Sequence, residues 1–376
     1  MPTAASFRSF RKPHRLVRGV PNDDRAVTHN VHLPALRGGL LALAAATLFG
    51  VSTPLLQLAG RGLGPFTTAA LLYGGAALAG AFLRRPVDRE AALRRTDLRR
   101  LALMALFGAV VGPVALAWGL QHTSGTSGSL MLALEALFTA LLARALYHEV
   151  MDRRVWTAML LLLAGGMVLV LDRGLSGGAQ ALGLLAVLVA TAAWGVDNTL
   201  SRALAERDPG QVVLGKSALG AAATATLALA AGETLPGWSA GLALLAIGAT
   251  GYGLSLRLYL LAQRAFGAAR TGSVFAFAPF IGALLAIALG DRSLSYGMAV
   301  GGALMLAGVA LHLAESHSHE HLHEALEHEH AHSHDDGHHT HSHGPNETGP
   351  HSHRHRHEPM RHGHAHVPDA HHGHRH

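Results

Sequence analysis

The chain has 376 residues, of which 49% are hydrophobic and 14% charged, and its formal net charge is +6 at pH 7. This composition excludes an ordinary soluble domain, and the absence of cysteine excludes disulfides, cysteine-based zinc sites and thiol chemistry. The basic residues are mostly arginines that flank apolar segments, a pattern of membrane topology rather than of nucleic-acid binding.

Residues 1–37 form a basic segment without a long apolar run. A cleavable signal peptide needs an apolar core of this kind, so we do not expect one here. We expect a disordered cytoplasmic segment, because the composition offers little apolar surface to bury.

Between residues 38 and 312, apolar segments of about 20 residues alternate with short breaks rich in Gly, Pro and charge. A run of this length crosses a bilayer as a helix. The sequence therefore predicts an all-α integral membrane protein with ten transmembrane helices. The predicted spans are 38–59, 65–83, 101–120, 126–147, 155–171, 181–203, 212–231, 240–262, 271–289 and 296–312.

Lysines and arginines are distributed unequally between the two sides of these spans. The N-terminal segment and every second connection hold 22 of them, with Lys216 counted among those that flank the seventh span. The other connections hold three, namely Arg61, Arg173 and Arg292. The positive-inside rule places the richer side in the cytoplasm. We expect a bacterial-type inner (plasma) membrane protein with both termini cytoplasmic.

Two internal matches indicate a duplication. The residues Phe49-Gly50-Val51 resemble Trp194-Gly195-Val196, and residues 133–143 align with residues 276–286. The two matches are offset by 145 and 143 residues, so they agree on one duplication. The predicted repeats cover 38–172 and 173–312. Because each holds five spans, an odd number, the second is inverted in the membrane, as in many secondary transporters.

This pattern resembles the EamA-type transporters of the drug/metabolite transporter superfamily. The resemblance rests on five plus five spans, the Phe/Trp-Gly pairs, and the segments Ala-Leu-Glu-Ala (133–136) and Phe-Ala-Pro-Phe (277–280). It implies a ten-helix secondary transporter, often an exporter of metabolites or amino acids. The chain departs from the family pattern at Ala136, where members often carry proline, and at His148-Glu149, where Gly-Glu is usual.

Glu135 is the most informative charged residue inside a predicted span. It lies about nine residues into span four, roughly 13 Å from the nearer end, which is close to the midplane. A charge in hydrocarbon is costly and marks a functional candidate. We interpret Glu135 as a proton-coupling or cation-recognition residue, with a purely structural carboxyl between two helices as the alternative.

Asp197 and Arg257 lie nearer the cytoplasmic ends of spans six and eight. One interpretation pairs the two charges across helices, and another has Asp197 and its neighbour Asn198 contact the substrate. Arg257 is shallow enough for its side chain to extend to the interface, which is its structural alternative.

Four aromatic residues complete the candidate site. Phe49 and Trp194 match across the repeats and are expected to line a central cavity. Tyr252 and Tyr259 share one face of span eight with Ser255, because residues three to four positions apart are neighbours on a helix.

Residues 313–376, the His-rich tail, contain 23 of the 29 histidines of the chain, many spaced His-x-His. Neutral imidazole suits Zn, Ni and Co, and His-rich tracts are typical of metal binding. We predict a disordered cytoplasmic tail that binds metal ions, with a pH sensor and an inert solvated tail as alternatives. The candidate ligands are His317, His319, His321, His323, His328, His330, His332, His334, His351, His353, His355 and His357.

Three functions remain open from the sequence. The first is a metabolite or drug exporter, coupled to ions or protons, with a regulatory metal-binding tail. The second is a Ni, Co or Zn transporter whose tail gathers ions, and the third is a membrane metal sensor or buffer without transport. We expect no enzyme, because no nucleophile–base set, P-loop or zinc-protease motif is present. We expect no required cofactor and no nucleic-acid partner; the expected partners are the bilayer and a small solute or ion, with a homodimer left open.

Overall fold

The computed structural model describes residues 32–84, 90–147, 151, 153–176, 178–204, 207–266, 268–313, 317–323, 326–332, 351–357 and 360–366. The predictions for residues 1–31, for His148-Glu149 and for His334 lie outside the described residues.

The described part of the chain between residues 32 and 313 folds into ten membrane-length helical segments, two of them in halves. Nine segments are long and apolar enough to cross a membrane, and the tenth contains a shorter apolar helix, Tyr296–Leu311. The predicted all-α membrane fold is thereby confirmed. The segments are α1 (His32–Ala59), α2 (Pro65–Phe82), α3 (Arg95–His122), α4a (Gly125–Met131), α4b (Leu134–Tyr147), α5 (Arg153–Ser176), α6 (Gly178–Ser201), α7 (Pro209–Ala230), α8 (Trp238–Ala265), α9a (Ala268–Phe275), α9b (Ala278–Ala288) and α10 (Tyr296–Leu313).

The helices pack in the pairs expected of a duplicated bundle. The helix α2 packs against α7, α5 against α10, and α4a against α9b, and each of these pairs joins equivalent helices of the two repeats. The helix α1 packs against α8, and α3 packs against α6. When each helix is replaced by its counterpart in the other repeat, the first of these pairs becomes the second. The contacts therefore show a two-fold relation between α1–α5 and α6–α10, and this relation supports the predicted repeat.

Two kinds of helix irregularity occur at matching places in the repeats. The fourth helix of each repeat is interrupted, at Leu132-Ala133 between α4a and α4b and at Ala276-Phe277 between α9a and α9b. The third helix of each repeat contains a π-helical stretch, at Leu106–Val111 and at Gly248–Leu254. Broken helices and π-bulges occur frequently at functional sites, so the four irregularities indicate where such a site lies.

Glycines permit two matching close approaches between the repeats. A Cβ added at Gly75 in α2 would lie 1.9 Å from the carbonyl oxygen of Leu245 in α8. A Cβ added at Gly220 in α7 would lie 2.3 Å from the Cβ of Ala109 in α3. Small residues let membrane helices approach closely, so these glycines allow α2 to pack tightly on α8 and α7 to pack tightly on α3.

The described residues of the His-rich tail form four strands, which the sequence had not predicted. The strands are β1 (His317–His323), β2 (Leu326–His332), β3 (His351–His357) and β4 (Met360–His366). The strand β1 pairs antiparallel with β4, and β2 pairs antiparallel with β3. The composition of the tail favours disorder, whereas its His-x-His alternation has the period of two that a strand requires.

Candidate functional site at the centre of the bundle

Glu135 lies in the first turn of α4b, immediately after the break in this helix. Asn198 of α6 donates a hydrogen bond from Nδ2 to Glu135 Oε1, at 2.5 Å. The N-terminal end of α4b favours the carboxylate form through the helix dipole, while the neutral form avoids a charge in hydrocarbon. Because Asn198 is a neutral amide, this pair contains no cation that would hold the Glu135 carboxyl in its charged form.

A buried ion pair lies beside this contact, because Asp197 directly precedes Asn198 in α6. Asp197 accepts a hydrogen bond from the ammonium of Lys216 in α7, and the two side chains are 5% and 4% exposed. Lys216 is therefore part of the bundle interior and is not, as the sequence had indicated, one of the charges that flank the seventh span. Of the two interpretations of Asp197, the structure shows an ion pair, but with Lys216 and not with Arg257, which lies half-buried in α8. The other interpretation, that Asp197 and Asn198 contact the substrate, stays a prediction.

An aromatic cluster lies beside these charged groups. The ring of Phe49 meets the ring of Trp194 at a centroid distance of 5.6 Å and the ring of Tyr252 at 5.7 Å, both in edge-to-face geometry. The ring centroid of Phe275 in α9a lies 5.3 Å from that of Phe49 and 5.0 Å from that of Tyr259. The structure thus brings together all four aromatic residues that the sequence singled out. Edge-to-face pairs add to the stability that burial of the rings supplies.

The π-helical stretch of α3 anchors two of the central side chains through a single carbonyl group. Trp194 donates from its indole nitrogen to the carbonyl oxygen of Gly108 at 3.0 Å, and the Tyr73 hydroxyl donates to the same oxygen. A Cβ at Gly108 would lie 2.3 Å from the Asp197 carboxylate, so only glycine leaves room for the ion pair at this position. The irregular backbone of α3 therefore orients both the aromatic cluster and the charged pair.

Several buried polar atoms in this region lack a hydrogen-bond partner within the described part of the chain. Among them are Asp197 Oδ1 and the hydroxyl oxygen of Tyr252. A buried polar atom without a partner costs about 1–3 kcal/mol, so a polar group of a solute that reached either atom would be favoured there. Together with the Glu135–Asn198 pair, these atoms give the centre of the bundle a set of polar groups beside an apolar, aromatic wall.

The arginine-rich end of the bundle, which carries the α2–α3, α6–α7 and α8–α9 connections, is closed by ion pairs between the repeats. Arg264 donates to Glu90 at 2.7 Å and Arg207 donates to Asp97 at 2.9 Å. Arg264 also donates to the carbonyl oxygen of Arg207, and the backbone of Ala91 accepts from the amide of Asp208 at 2.8 Å. Both carboxylate–arginine pairs link the first repeat to the second.

The opposite end, which carries the α1–α2, α3–α4, α7–α8 and α9–α10 connections, is closed differently. The carboxylate of Glu233 accepts the backbone amides of Phe66 and Thr67 at the N-terminus of α2, at 3.2 and 2.7 Å. Asp291 accepts the backbone amide and hydroxyl of Thr126 near the start of α4a, at 2.9 and 2.7 Å. Both acceptors belong to the second repeat and both helix N-termini to the first.

Asp291 has a low pKa that follows from these contacts. Burial alone would raise the pKa of its carboxyl, but hydrogen bonds from Ser293 and Thr126 outweigh that effect and lower the pKa to about 2. The carboxylate is therefore the form that holds the α9–α10 connection against α4a at neutral pH.

Sequence reasoning missed four residues of this site: Lys216, Tyr73, Gly108 and Phe275. For Lys216 a signal existed, since it is one of two lysines in the chain and falls inside the predicted span 212–231. Tyr73 and Phe275 carried no pattern that distinguishes them from interfacial or core aromatics. Gly108 is one of 44 glycines, and its role depends on the π-helical stretch, which the sequence does not announce.

Comparison with known proteins identifies the family. A model of the EamA-like transporter family matches residues 36–171 and again residues 181–314, which agrees with the repeat found in the helix packing. The chain belongs to the EamA-like transporter family. The family match and the nine apolar helices make it a multi-pass membrane transporter, surrounded by the lipid bilayer and acting on a small solute.

Two relatives illustrate this relationship. An "Uncharacterized transporter" of Methanothermobacter thermautotrophicus (strain Delta H) is 26% identical over 305 residues, which cover 74% of this chain and 86% of that protein. A crystal structure at 22% identity superposes with a TM-score of 0.54 and covers 74% of this chain and 97% of its own. At that identity the structural likeness supports the fold alone.

Proposed function

We propose that this EamA-like transporter exports a small organic metabolite or a drug-like solute across the inner membrane in exchange for protons. The observation that carries the proposal is the position of Glu135 at the interrupted centre of α4, hydrogen-bonded to the neutral Asn198. A carboxyl that cycles between charged and neutral forms at the midplane is the group that proton coupling requires.

The remaining central groups fit this function. The apolar surface of a solute meets the rings of Phe49, Phe275 and Tyr252, while its polar groups meet the unpaired atoms of Asp197 and Tyr252. Ligand sites commonly combine a mostly apolar wall with a few polar groups that fix the orientation of the ligand. The Asp197–Lys216 pair keeps both charges in place without adding net charge to the site.

Export also requires that the two ends of the bundle open in turn. We place the arginine-rich end in the cytoplasm, following the distribution of basic residues, so that both termini are cytoplasmic. The Glu90–Arg264 and Asp97–Arg207 pairs then separate when the site faces the cytoplasm. The Glu233 and Asp291 contacts separate when it faces outward.

The proposal is tested in inside-out membrane vesicles that are acidified inside. The probes are a radiolabelled mixture of the common amino acids and, separately, ethidium. We expect the wild-type chain to concentrate at least one probe, and the Glu135→Gln variant to equilibrate that probe without concentrating it, because an amide cannot carry the proton.

Asp208→Asn is the matched control, since it makes the same carboxyl-to-amide change outside the spans, at the N-cap of α7, where asparagine caps as well as aspartate. It should retain most of the accumulation. Accumulation by Glu135→Gln at the wild-type level would refute the coupling role of this residue.

We further propose that the His-rich tail binds divalent ions such as Zn, Ni or Co and thereby regulates transport. Support comes from the density of His-x-His spacings in the tail. Among the residues that the structure describes, no group of three or more His, Asp or Glu is placed to hold a metal ion.

A further inference from the structure

The start of α3 presents a dense group of arginines at the surface. Residues 94–100 have the sequence Arg-Arg-Thr-Asp-Leu-Arg-Arg, and all four arginines are exposed. Among the residues that the structure describes, Arg95, Arg99 and Arg100 form no ion pair. Like charges so close together repel one another, so these three residues, the α3 arginine cluster, favour an anionic partner.

The acidic residues described beside this cluster are directed into the protein. Asp97 is 6% exposed and forms its ion pair with Arg207 of the second repeat. Glu90 is 5% exposed and forms its ion pair with Arg264, also of the second repeat. Both carboxylates are therefore neutralised from the inner side. Within the described part of the α2–α3 connection, the outer surface is left with positive charge alone.

The outer face of α3 continues from the cluster as an apolar surface. Leu103 and Leu106 are 37% and 47% exposed, whereas Leu101 and Met104 are buried. Arg99, Leu103 and Leu106 follow one another at intervals of four and three residues, so they share one helix face. In a protein that spans the bilayer, an exposed apolar helix face contacts acyl chains, and the arginines at its end lie at the level of the headgroups.

From this arrangement we propose that the α3 arginine cluster binds the phosphate headgroup of an anionic phospholipid, with an acyl chain lying along Leu103 and Leu106. The planar guanidinium group suits a phosphate because it can donate two parallel hydrogen bonds. Clusters of basic residues next to a transmembrane helix are typical of anionic-lipid binding. The adjoining leucines favour a lipid over a soluble phosphate, which gains nothing from an apolar surface. The inference does not rest on the proposed export function.

The same turn of α3 connects this lipid site to the closed, arginine-rich end of the bundle. Asp97 accepts the backbone amide of Arg94 at 2.9 Å and the side chain of Arg207 at the same distance. The positive charges of the cluster repel Arg207 and so oppose this contact between the repeats. A bound phosphate reduces the repulsion. The lipid therefore stabilises the Asp97–Arg207 pair and the closed state of this end.

Lipid binding is tested by native mass spectrometry of the full-length chain in detergent, titrated with dioleoylphosphatidylglycerol and, separately, with dioleoylphosphatidylcholine. We expect the wild-type chain to bind the anionic lipid at least about fivefold more tightly, the preference that one arginine near an anionic headgroup supplies. The variant Arg95→Gln/Arg99→Gln/Arg100→Gln should lose this preference.

A matched control removes the same number of exposed arginines from three other segments, as Arg37→Gln/Arg61→Gln/Arg292→Gln. It should keep the preference for the anionic lipid. An equal loss in both triple variants would show that overall charge attracts the lipid, and would refute the site. No preference in the wild-type chain would also refute it. If inorganic phosphate displaces the lipid at equal concentration, the cluster is a site for soluble anions and the lipid assignment is wrong.

A distance measurement tests the effect of the lipid on the closed end. The chain has no cysteine, so Thr96→Cys with Ala203→Cys provides two thiols for nitroxide labels, both at exposed positions and one in each repeat. In nanodiscs, phosphatidylglycerol should increase the population with the shorter distance between labels, relative to phosphatidylcholine alone. The increase should vanish when the cluster is replaced by glutamine. Identical distance distributions in the two lipids would overturn the coupling between lipid and closure.

Discussion

The two repeats share a backbone plan but differ in the residues placed on it. Both interrupt their fourth helix and carry a π-helical stretch in their third. Glu135, however, aligns with Ala278 across the repeats, and Asp197-Asn198 align with Ser52-Thr53. The backbone breaks are thus symmetric, whereas Glu135 and Asp197 each lack a charged counterpart in the other repeat.

This difference separates two requirements of an alternating-access transporter. Symmetric breaks give both halves the same points of bending, so that either end of the bundle opens by an equivalent motion. One carboxyl without a paired cation is enough to carry one proton, whereas the charge of the other central carboxyl, Asp197, is balanced by Lys216. Duplication thus accounts for the movement, and divergence between the copies accounts for the chemistry.

Removing one partner of the buried Asp197–Lys216 ion pair gives the largest expected effect. Lys216→Met leaves Asp197 charged and unpaired in the bundle interior, and breaking a buried ion pair in this way costs about 3–5 kcal/mol. We expect strong loss of thermal stability in detergent, with Asp197→Asn behaving similarly.

The double variant Lys216→Met/Asp197→Asn is the control, because it removes both charges together. We expect it to be more stable than either single variant, which is the signature of direct coupling. Additive losses of stability would show that the two residues contribute independently and would refute the ion pair.

The shared backbone gives an intermediate effect. Gly75→Ala and Gly220→Ala each force a new methyl group into a neighbouring helix, at equivalent crossings in the two repeats. Overpacking of this kind typically costs about 1–3 kcal/mol, so both variants should lower the melting temperature.

Gly74→Ala provides a matched control one residue away. A Cβ at Gly74 meets its nearest neighbour at the ordinary contact distance of 3.5 Å, and alanine is the better helix former. We expect unchanged or slightly raised stability. A loss as large as that of Gly75→Ala would show that the close approach is not what matters in this helix.

The smallest effect concerns the contact between the α9–α10 connection and α4a. Asp291→Asn should lower stability at pH 7 by about 0.5–1 kcal/mol, the usual value of a helix-terminal contact. The folded-state pKa of Asp291 is lowered to about 2. Its contribution is therefore fully present above the unfolded pKa of about 3.9 and is lost as the pH falls towards 2.

Melting temperatures of the wild type and of Asp291→Asn, recorded between pH 7 and pH 3, provide the measurement. The gap between the two chains should be constant at neutral pH and should narrow below about pH 4. A gap that widens on acidification would contradict the assignment of a charged carboxylate to this contact.

The sequence predicted the number and bounds of the helices well, because membrane spans are read directly from apolar length. All ten predicted spans have a helical counterpart, and the span 65–83, for example, is the helix Pro65–Phe82. The alignment of Phe49 with Trp194 also anticipated two residues that meet at the centre. Hydropathy and internal repetition are properties of the chain that need no tertiary structure.

The contacts between side chains could not be read in the same way. Glu135 stood out because a charge in an apolar run is rare, but its partner Asn198 lies 63 residues away on another helix. Lys216 was mistaken for a flanking charge, since depth within a helix is uncertain by a few residues and one turn separates the interface from the interior. Pairing in the tail depends on alignment between distant segments, which composition does not reveal.

The most direct test of the central claim is proton movement driven by solute in proteoliposomes that contain trapped pyranine. The probe that the wild-type chain concentrates is added outside, with the pH initially equal on both sides. We predict that the wild-type chain changes the internal pH, whereas Glu135→Gln exchanges labelled probe across the bilayer without changing the pH. A pH change of wild-type size in Glu135→Gln would contradict the assignment of the coupling proton to this carboxyl.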